Sequence, residues 1–457
     1  MPCGYVVVNV DLRGFGRSDG EGSLLSDAEA RDYYEIVEWA AAQPWSSGRV
    51  GLNGVSYLAL SQWMVAALQP PHLSAICPWE GFSDVYRDFA RPGGIQEDGF
   101  FPLWSAQSWR SGRLRDDPRR EQLARPLWDH WWAALTPALE RIVVPALICA
   151  SFSDHCLHSR GSFAAFQRIA SAQRWLYTHR GGKWATYYSP EAQAFQLRFF
   201  DHFLKGAENG MRDVPPVRLE VRETGKAVHA VCEERTWPLP ATRWTPLHLH
   251  PDGTLRERPA AAGARRFASR GGRASFAWAV PYDLELTGPM ALRLWVECCG
   301  ASDAHLFVGV RKLRGEREVV FEGSYGFDHD LVTRGMLKVS HRELDVQRST
   351  PWQPVHRHER AESLQVGQVV PVDIELLPSA TLFRRGETLR LDVQGEAFFR
   401  WNPLVGQFPA RYEPSSRSTI VLHCGGRYEA RLLVPAVQPE GAGPGTPDAG
   451  VSGSAPH

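Results

Sequence analysis

From Tyr5 to Val10 the chain reads Tyr-Val-Val-Val-Asn-Val, an almost unbroken β-branched run. A run without polar alternation predicts a strand covered on both faces, as in a parallel sheet. Residues 11–20 are polar and glycine-rich and read as a loop. Tyr33, Ile36, Val37 and Ala40 then recur at helical spacing within residues 28–42. A strand at 49–53, a helix at 58–68 and a strand at 73–77 complete an α/β rhythm. Residues 78–140 break that rhythm and contain no buried-strand pattern, which predicts a helical insertion. The rhythm returns with a strand at 142–150, a helix near 162–170, a strand at 174–177 and a helix at 190–204. After Gly210 the period changes from helical to two, as in Val217-Arg218-Leu219-Glu220-Val221 and Leu389-Arg390-Leu391-Asp392-Val393. Short alternating runs separated by turn residues predict an antiparallel sandwich.

The sharpest local signal is Asn53-Gly54-Val55-Ser56-Tyr57-Leu58, where a strand ends, a Gly-x-Ser turn follows and a helix begins. A serine on such a turn lifts its hydroxyl above the sheet edge, and the backbone N–H of the next residue, Tyr57, points into the same space. Gly54 suits the close approach of strand and helix. The competing reading is a serine that merely caps the helix. A nucleophilic serine needs a base, and the base needs an orienting carboxylate. Asp154 and His179 follow two strand ends in the order this fold type uses. His155 and His158 compete for the role of base, but they share the loop of Asp154 and are expected to approach it from the wrong direction. Asp154, His155, Cys156 and His158 could also be read as a metal cluster, with unconvincing spacing. Asp11 and Arg13 read as a structural loop pair. Trp79, Trp104 and Trp109 fall in the insertion and are candidates to line an apolar pocket. Glu80 is a candidate anchor for a substrate amine, against the plainer reading of a solvated or salt-bridged surface carboxylate.

Composition narrows the partners. The 457 residues carry 51 Lys+Arg against 51 Asp+Glu, so the basic excess of a nucleic-acid binder is absent. No apolar run reaches the roughly 18 residues needed to cross a bilayer, and the first residues show no signal-peptide pattern. Eight cysteines are too few for a disulfide scaffold of this length. The expectation is a cytoplasmic protein with reduced thiols and no membrane or nucleic-acid partner. The domain expectation is an α/β unit over 1–210 with a helical insertion at about 78–140, a β-sandwich over 211–435 and a disordered tail over 436–457.

These motifs resemble the cocaine esterase / X-Pro dipeptidyl-peptidase group of α/β-hydrolases (the CocE/NonD type). The resemblance rests on Gly4-Tyr5-Val6-Val7-Val8 leading to Asp11-Leu12-Arg13-Gly14, on Gly54-Val55-Ser56-Tyr57-Leu58, on Ser153-Asp154, on Thr178-His179 and on residues 199–206. It continues through Val217-Arg218-Leu219 and Val339-Ser340-His341-Arg342. It implies an α/β-hydrolase domain, a helical cap and a C-terminal jelly roll. It also implies Ser56 as nucleophile, His179 as base, Asp154 as its orienter and the Tyr57 N–H as an oxyanion donor, without cofactor or metal. The implied chemistry is hydrolysis of acyl esters or amides through an acyl-enzyme. Release of X-Pro dipeptides is the alternative within that chemistry, and a non-catalytic scaffold with a binding sandwich is the alternative outside it. The resemblance further implies strands before Gly4 and a tyrosine hydroxyl as second oxyanion donor. That donor is unmatched here, so the expectation is a shortened hydrolase whose open sheet edge invites homodimerisation.

Overall fold

The computed structural model describes residues 3–325, 328–399 and 409–437. Four parallel strands carry the N-terminal half: β1 (Val50–Val55), β2 (Leu73–Trp79), β3 (Ala146–Ser151) and β4 (Arg174–His179). They lie side by side in that order, and β5 (Val217–Arg222) continues the sheet beside β4. Every residue of β3, and all of β2 except Ser74, is buried, which is why these strands read as continuous apolar runs and not as alternations.

Helices α1 (Asp27–Ala41) and α2 (Tyr57–Ala66) flank β1. Between β2 and β3 lies a segment of helices: a single π-helical turn at Val85–Ala90, α3 (Phe100–Ser111), α4 (Pro118–Ala124) and α5 (His130–Ala134). Their starts are legible, because Asp84, Asp117 and Asp129 each accept backbone N–H groups of the turn that follows. Then come α6 (Ser159–Arg168), α7 (Lys183–Tyr187) and α8 (Pro190–Lys205). Ser189 caps α8, Pro190 opens it, and Gly206 ends it in a left-handed conformation (φ 72°).

From β5 onward the sheet becomes mostly antiparallel. The long strand Leu284–Cys299 pairs with Val370–Phe383 on one side and with Arg431–Val437 and Thr419–Cys424 on the other. A second sheet, built on Arg273–Ala279, Thr388–Gln394, His305–Arg314 and Thr333–Lys338, faces it. The inward residues Leu292, Leu294 and Val296 of the first sheet share one core with Leu306, Val308, Leu389 and Leu391 of the second. That sandwich is the β-rich fold its period of two predicts.

Two expectations fail. The β-branched run at Tyr5–Val10 forms no strand. Val6, Val7, Val8 and Val10 are 62%, 55%, 39% and 48% exposed. Among the described residues β1 ends the sheet, and no ladder or covering layer buries these valines. Only Tyr5 is anchored, its hydroxyl donating to Asp201 Oδ1 at 2.6 Å. At the other end, Pro435–Val437 belong to a strand paired with Thr242–Trp244, so the expected tail cannot begin there. Residues 438–457, which carry the rest of that expectation, lie outside the described residues.

Candidate active site

The strand-to-helix turn between β1 and α2 places Ser56. Its backbone takes φ 63° and ψ −116°, a conformation that costs a non-glycine residue roughly 1–3 kcal/mol. The side chain does not cap α2, which removes the plain capping reading. Gly54 is required by contact: a Cβ there would stand 2.3 Å from Leu58 Cβ. Tyr57 opens α2, and the first N–H groups of a helix have no partner within it. Its side chain turns the other way, donating from the hydroxyl to Glu29 Oε2 at 2.5 Å.

The imidazole against Ser56 belongs to His158. Its Nε2 lies 2.9 Å from Ser56 Oγ, and its Nδ1 lies 2.5 Å from Asp154 Oδ2. His179, expected beside the serine, instead pairs its Nε2 with Glu80 Oε1 at 3.0 Å. The reason is local geometry. Leu157, His158 and Ser159 all donate backbone N–H groups to Asp154 O, so the segment after β3 winds as a helical turn. Positions i and i+4 then share a side, and His158 returns over Asp154. The i,i+4 spacing of Asp154 and His158, which the expected direction of approach left out, accounts for the contact.

Burial alone would disfavour the charged Asp154 carboxylate. The Lys183 ammonium and His158 outweigh that penalty and hold the carboxyl well below its usual range. Burial, and then the Lys183 charge, pushes His158 below the ordinary histidine value despite Asp154. That direction favours the neutral imidazole, the form able to accept a proton. Lys183 Nζ lies 2.7 Å from Asp154 Oδ2 and 3.8 Å from Glu80 Oε2. Ser324, from the sandwich half of the chain, donates its hydroxyl to Asp154 Oδ2 at 3.1 Å. Nothing in the sequence marked Lys183 or Ser324. Their roles depend on contacts between segments distant along the chain.

The other candidates separate. Glu80 is fully buried with φ 48°, and the Ser151 hydroxyl donates to its second oxygen at 3.0 Å. It is neither a surface carboxylate nor free to meet a substrate amine. Trp79 is buried against Tyr177, His179 and Tyr187. Trp104 packs on Phe89 and lies 6.4 Å from the Tyr57 ring. Trp109, on α3, is 48% exposed. Arg13 pairs with Asp32, and Asp11 accepts the backbone N–H of Arg17 at 3.0 Å, so the two are not partners of each other.

Among the described residues, two groups have the donor atoms and proximity of a metal site: Glu80, Cys149 and His179, and Glu80, Asp154 and His158. In the second, the Lys183 ammonium already supplies a positive charge to both carboxylates. The metal reading of the Asp154–His158 segment also fails on direction, because His155 pairs with Asp330 at 2.9 Å and Cys156 takes a hydrogen bond from Arg334. All eight cysteines are free.

Residues 1–125 match the family model of the X-Pro dipeptidyl-peptidase (S15 family), and residues 209–433 that of the X-Pro dipeptidyl-peptidase C-terminal non-catalytic domain. Cocaine esterase of Rhodococcus sp. (strain MB1 Bresler) is 30% identical over 55% of this chain and 53% of its own, so the chain spans about half of that relative. A putative serine esterase of Mycobacterium bovis is 24% identical over 96% of this chain and 84% of its own. A crystal structure of a CocE/NonD family hydrolase from Staphylococcus aureus superposes with a TM-score of 0.91 at 39% identity, covering 93% of this chain and 79% of that one. No helix among the described residues is long and apolar enough to cross a membrane.

Proposed function

The chain belongs to the CocE/NonD family of serine hydrolases, and from that premise we propose that it cleaves acyl esters through a Ser56–His158–Asp154 triad. The contact of His158 Nε2 with Ser56 Oγ at 2.9 Å carries the reading. Ser56 Oγ attacks the acyl carbon while its proton passes to His158 Nε2. Asp154 accepts from Nδ1 and stabilises the imidazolium as it forms. The Tyr57 N–H faces the developing oxyanion. When the tetrahedral intermediate collapses, His158 returns the proton to the departing alcohol and leaves the acyl group on Ser56. Water, deprotonated by His158, then releases the acid.

Esters are favoured over X-Pro peptides by the state of Glu80. A dipeptidyl-peptidase must hold a free amino terminus, and Glu80, the carboxylate considered for that role, is buried and already engaged by His179 and Ser151.

Fluorophosphonate labelling tests the assignment in folded protein. Wild type and His179→Ala are expected to label, and Ser56→Ala is expected not to. His158→Ala is expected to label about 1000-fold more slowly. Loss of labelling in His179→Ala, with His158→Ala unimpaired, would return the base to His179. A panel of p-nitrophenyl esters and X-Pro anilides, with free and blocked amines, separates the two substrate classes.

A further inference from the structure

The Lys183 ammonium stands 3.0 Å from His158 Nδ1 as well as 2.7 Å from Asp154 Oδ2. That juxtaposition has a chemical consequence. A neutral imidazole carries its proton on one nitrogen only. If Nδ1 were bare, Lys183 could donate to it, and the proton would sit on Nε2. His158 would then be a donor toward Ser56 and useless as a base. If Nδ1 carries the proton, it donates to Asp154, Nε2 is bare, and Lys183 must direct its own protons at the carboxylates. We propose that Lys183 is a positioning residue of the triad: held on Asp154 and Glu80, it keeps Asp154 ionised and His158 uncharged, so that Nδ1 donates to the carboxylate and Nε2 accepts from Ser56. The inference rests on the Ser56–His158 reading above.

The groups around Lys183 support it. Asp154 and His158 face it from the turn before α6, Glu80 from the end of β2, with His179 behind that carboxylate. Ser324 and Tyr325 approach from the sandwich side, and Lys183 N–H donates to Ser324 O at 2.8 Å. The ammonium offsets the charge of Asp154, and the imidazolium formed when His158 takes the serine proton stands against that same carboxylate. The cluster thus resists protonation of His158 from solvent through the nearby cation, yet tolerates the imidazolium formed during reaction. Burial opposes the charge on Lys183, but Asp154 and Glu80 overcome it and keep the amine protonated. The same cation pushes His158 down.

The test replaces the charge and follows His158. Lys183→Met removes charge and donor, and Lys183→Gln removes charge but keeps a donor. The readouts are the pH dependence of fluorophosphonate labelling and the 15N shifts of the imidazole, assigned with His158→Gln. In wild type the ring is expected to be neutral at neutral pH, with the proton on Nδ1. In both variants the acid limb of labelling and the His158 titration are expected to move up by about one pH unit. A merely structural lysine would lower the rate and leave both midpoints in place, and that result overturns the proposal. So does a wild-type ring with its proton on Nε2, a measurement that needs no variant. If His158→Gln labels like wild type, the triad reading itself has failed, whatever Lys183 does.

Discussion

Ser56 and its neighbours show how much a single backbone position can carry. A left-handed serine is stable only where the surroundings impose it, and here the constraint comes from the tight approach at Gly54. Gly54→Ala drives a methyl group into Leu58 Cβ, and the expected loss is about 1–3 kcal/mol with slower labelling. Urea unfolding measured beside the labelling rate checks both. A second residue-scale consequence concerns Glu29, which is buried and accepts from the Tyr57 hydroxyl and from Leu25 N–H. Burial raises its carboxyl to about 7 against the hydrogen bonds that lower it. The folded state therefore holds a proton that the unfolded chain loses near pH 4.5, so stability falls as pH rises from there to about 7 and stays reduced above. Glu29→Gln keeps an acceptor without the charge. It is expected to raise the melting temperature at pH 8, by up to about 3 kcal/mol in stability, and to leave it unchanged at pH 4. A difference of equal size at both pH values would rule this account out.

Among the elements, the turn after β3 shapes the candidate site. It supplies both Asp154 and His158, and its helical winding brings the imidazole over the carboxylate. Ser159 Oγ ties it down by donating to Ser151 O at 2.6 Å. Gly161 lies where α6 passes the start of the helical segment, and a Cβ there would come within 2.4 Å of Ser83 N. Gly161→Val is expected to displace α6, and with it His158, more than it unfolds the protein. The check is labelling slowed at least about 10-fold, with near-native far-UV circular dichroism. The bound on rate follows from the sensitivity of proton transfer to a misplacement of about 1 Å.

On the scale of the whole molecule, the sandwich completes the site. Ser324 reaches Asp154, Asp330 pairs with His155, and Arg334 holds Cys156. Arg180, one residue past β4, is buried and donates to Leu331 O and to Val332 O, the latter at 2.9 Å, with its charge 4.4 Å over the Phe321 ring. Arg180→Met leaves those carbonyls without their donor, at about 1–3 kcal/mol each. Lower urea midpoints and slower labelling are expected together, because the same segment backs the proposed triad. If stability dropped with labelling unchanged, the sandwich would be a support for the hydrolase half without a hand in its site.

Much of this was legible in the chain. Buried parallel strands produce continuous apolar runs, alternating strands produce a period of two, and an aspartate before a helix marks its start. Those are local consequences of burial and hydrogen bonding, so β2, β3, α8 and the sandwich strands could be read directly. Ser56 and Asp154 were legible for the same reason, each set by its own strand end. Which histidine meets the serine was not, since His158 and His179 both follow strand ends and differ only in how the intervening backbone winds. Lys183, Ser324 and the burial of Glu80 depend on segments up to 170 residues apart. The valines at 6–10 show the converse: a sequence fit for burial stays exposed where no layer covers it. Local pattern determined the elements, and tertiary packing decided which side chains share a proton.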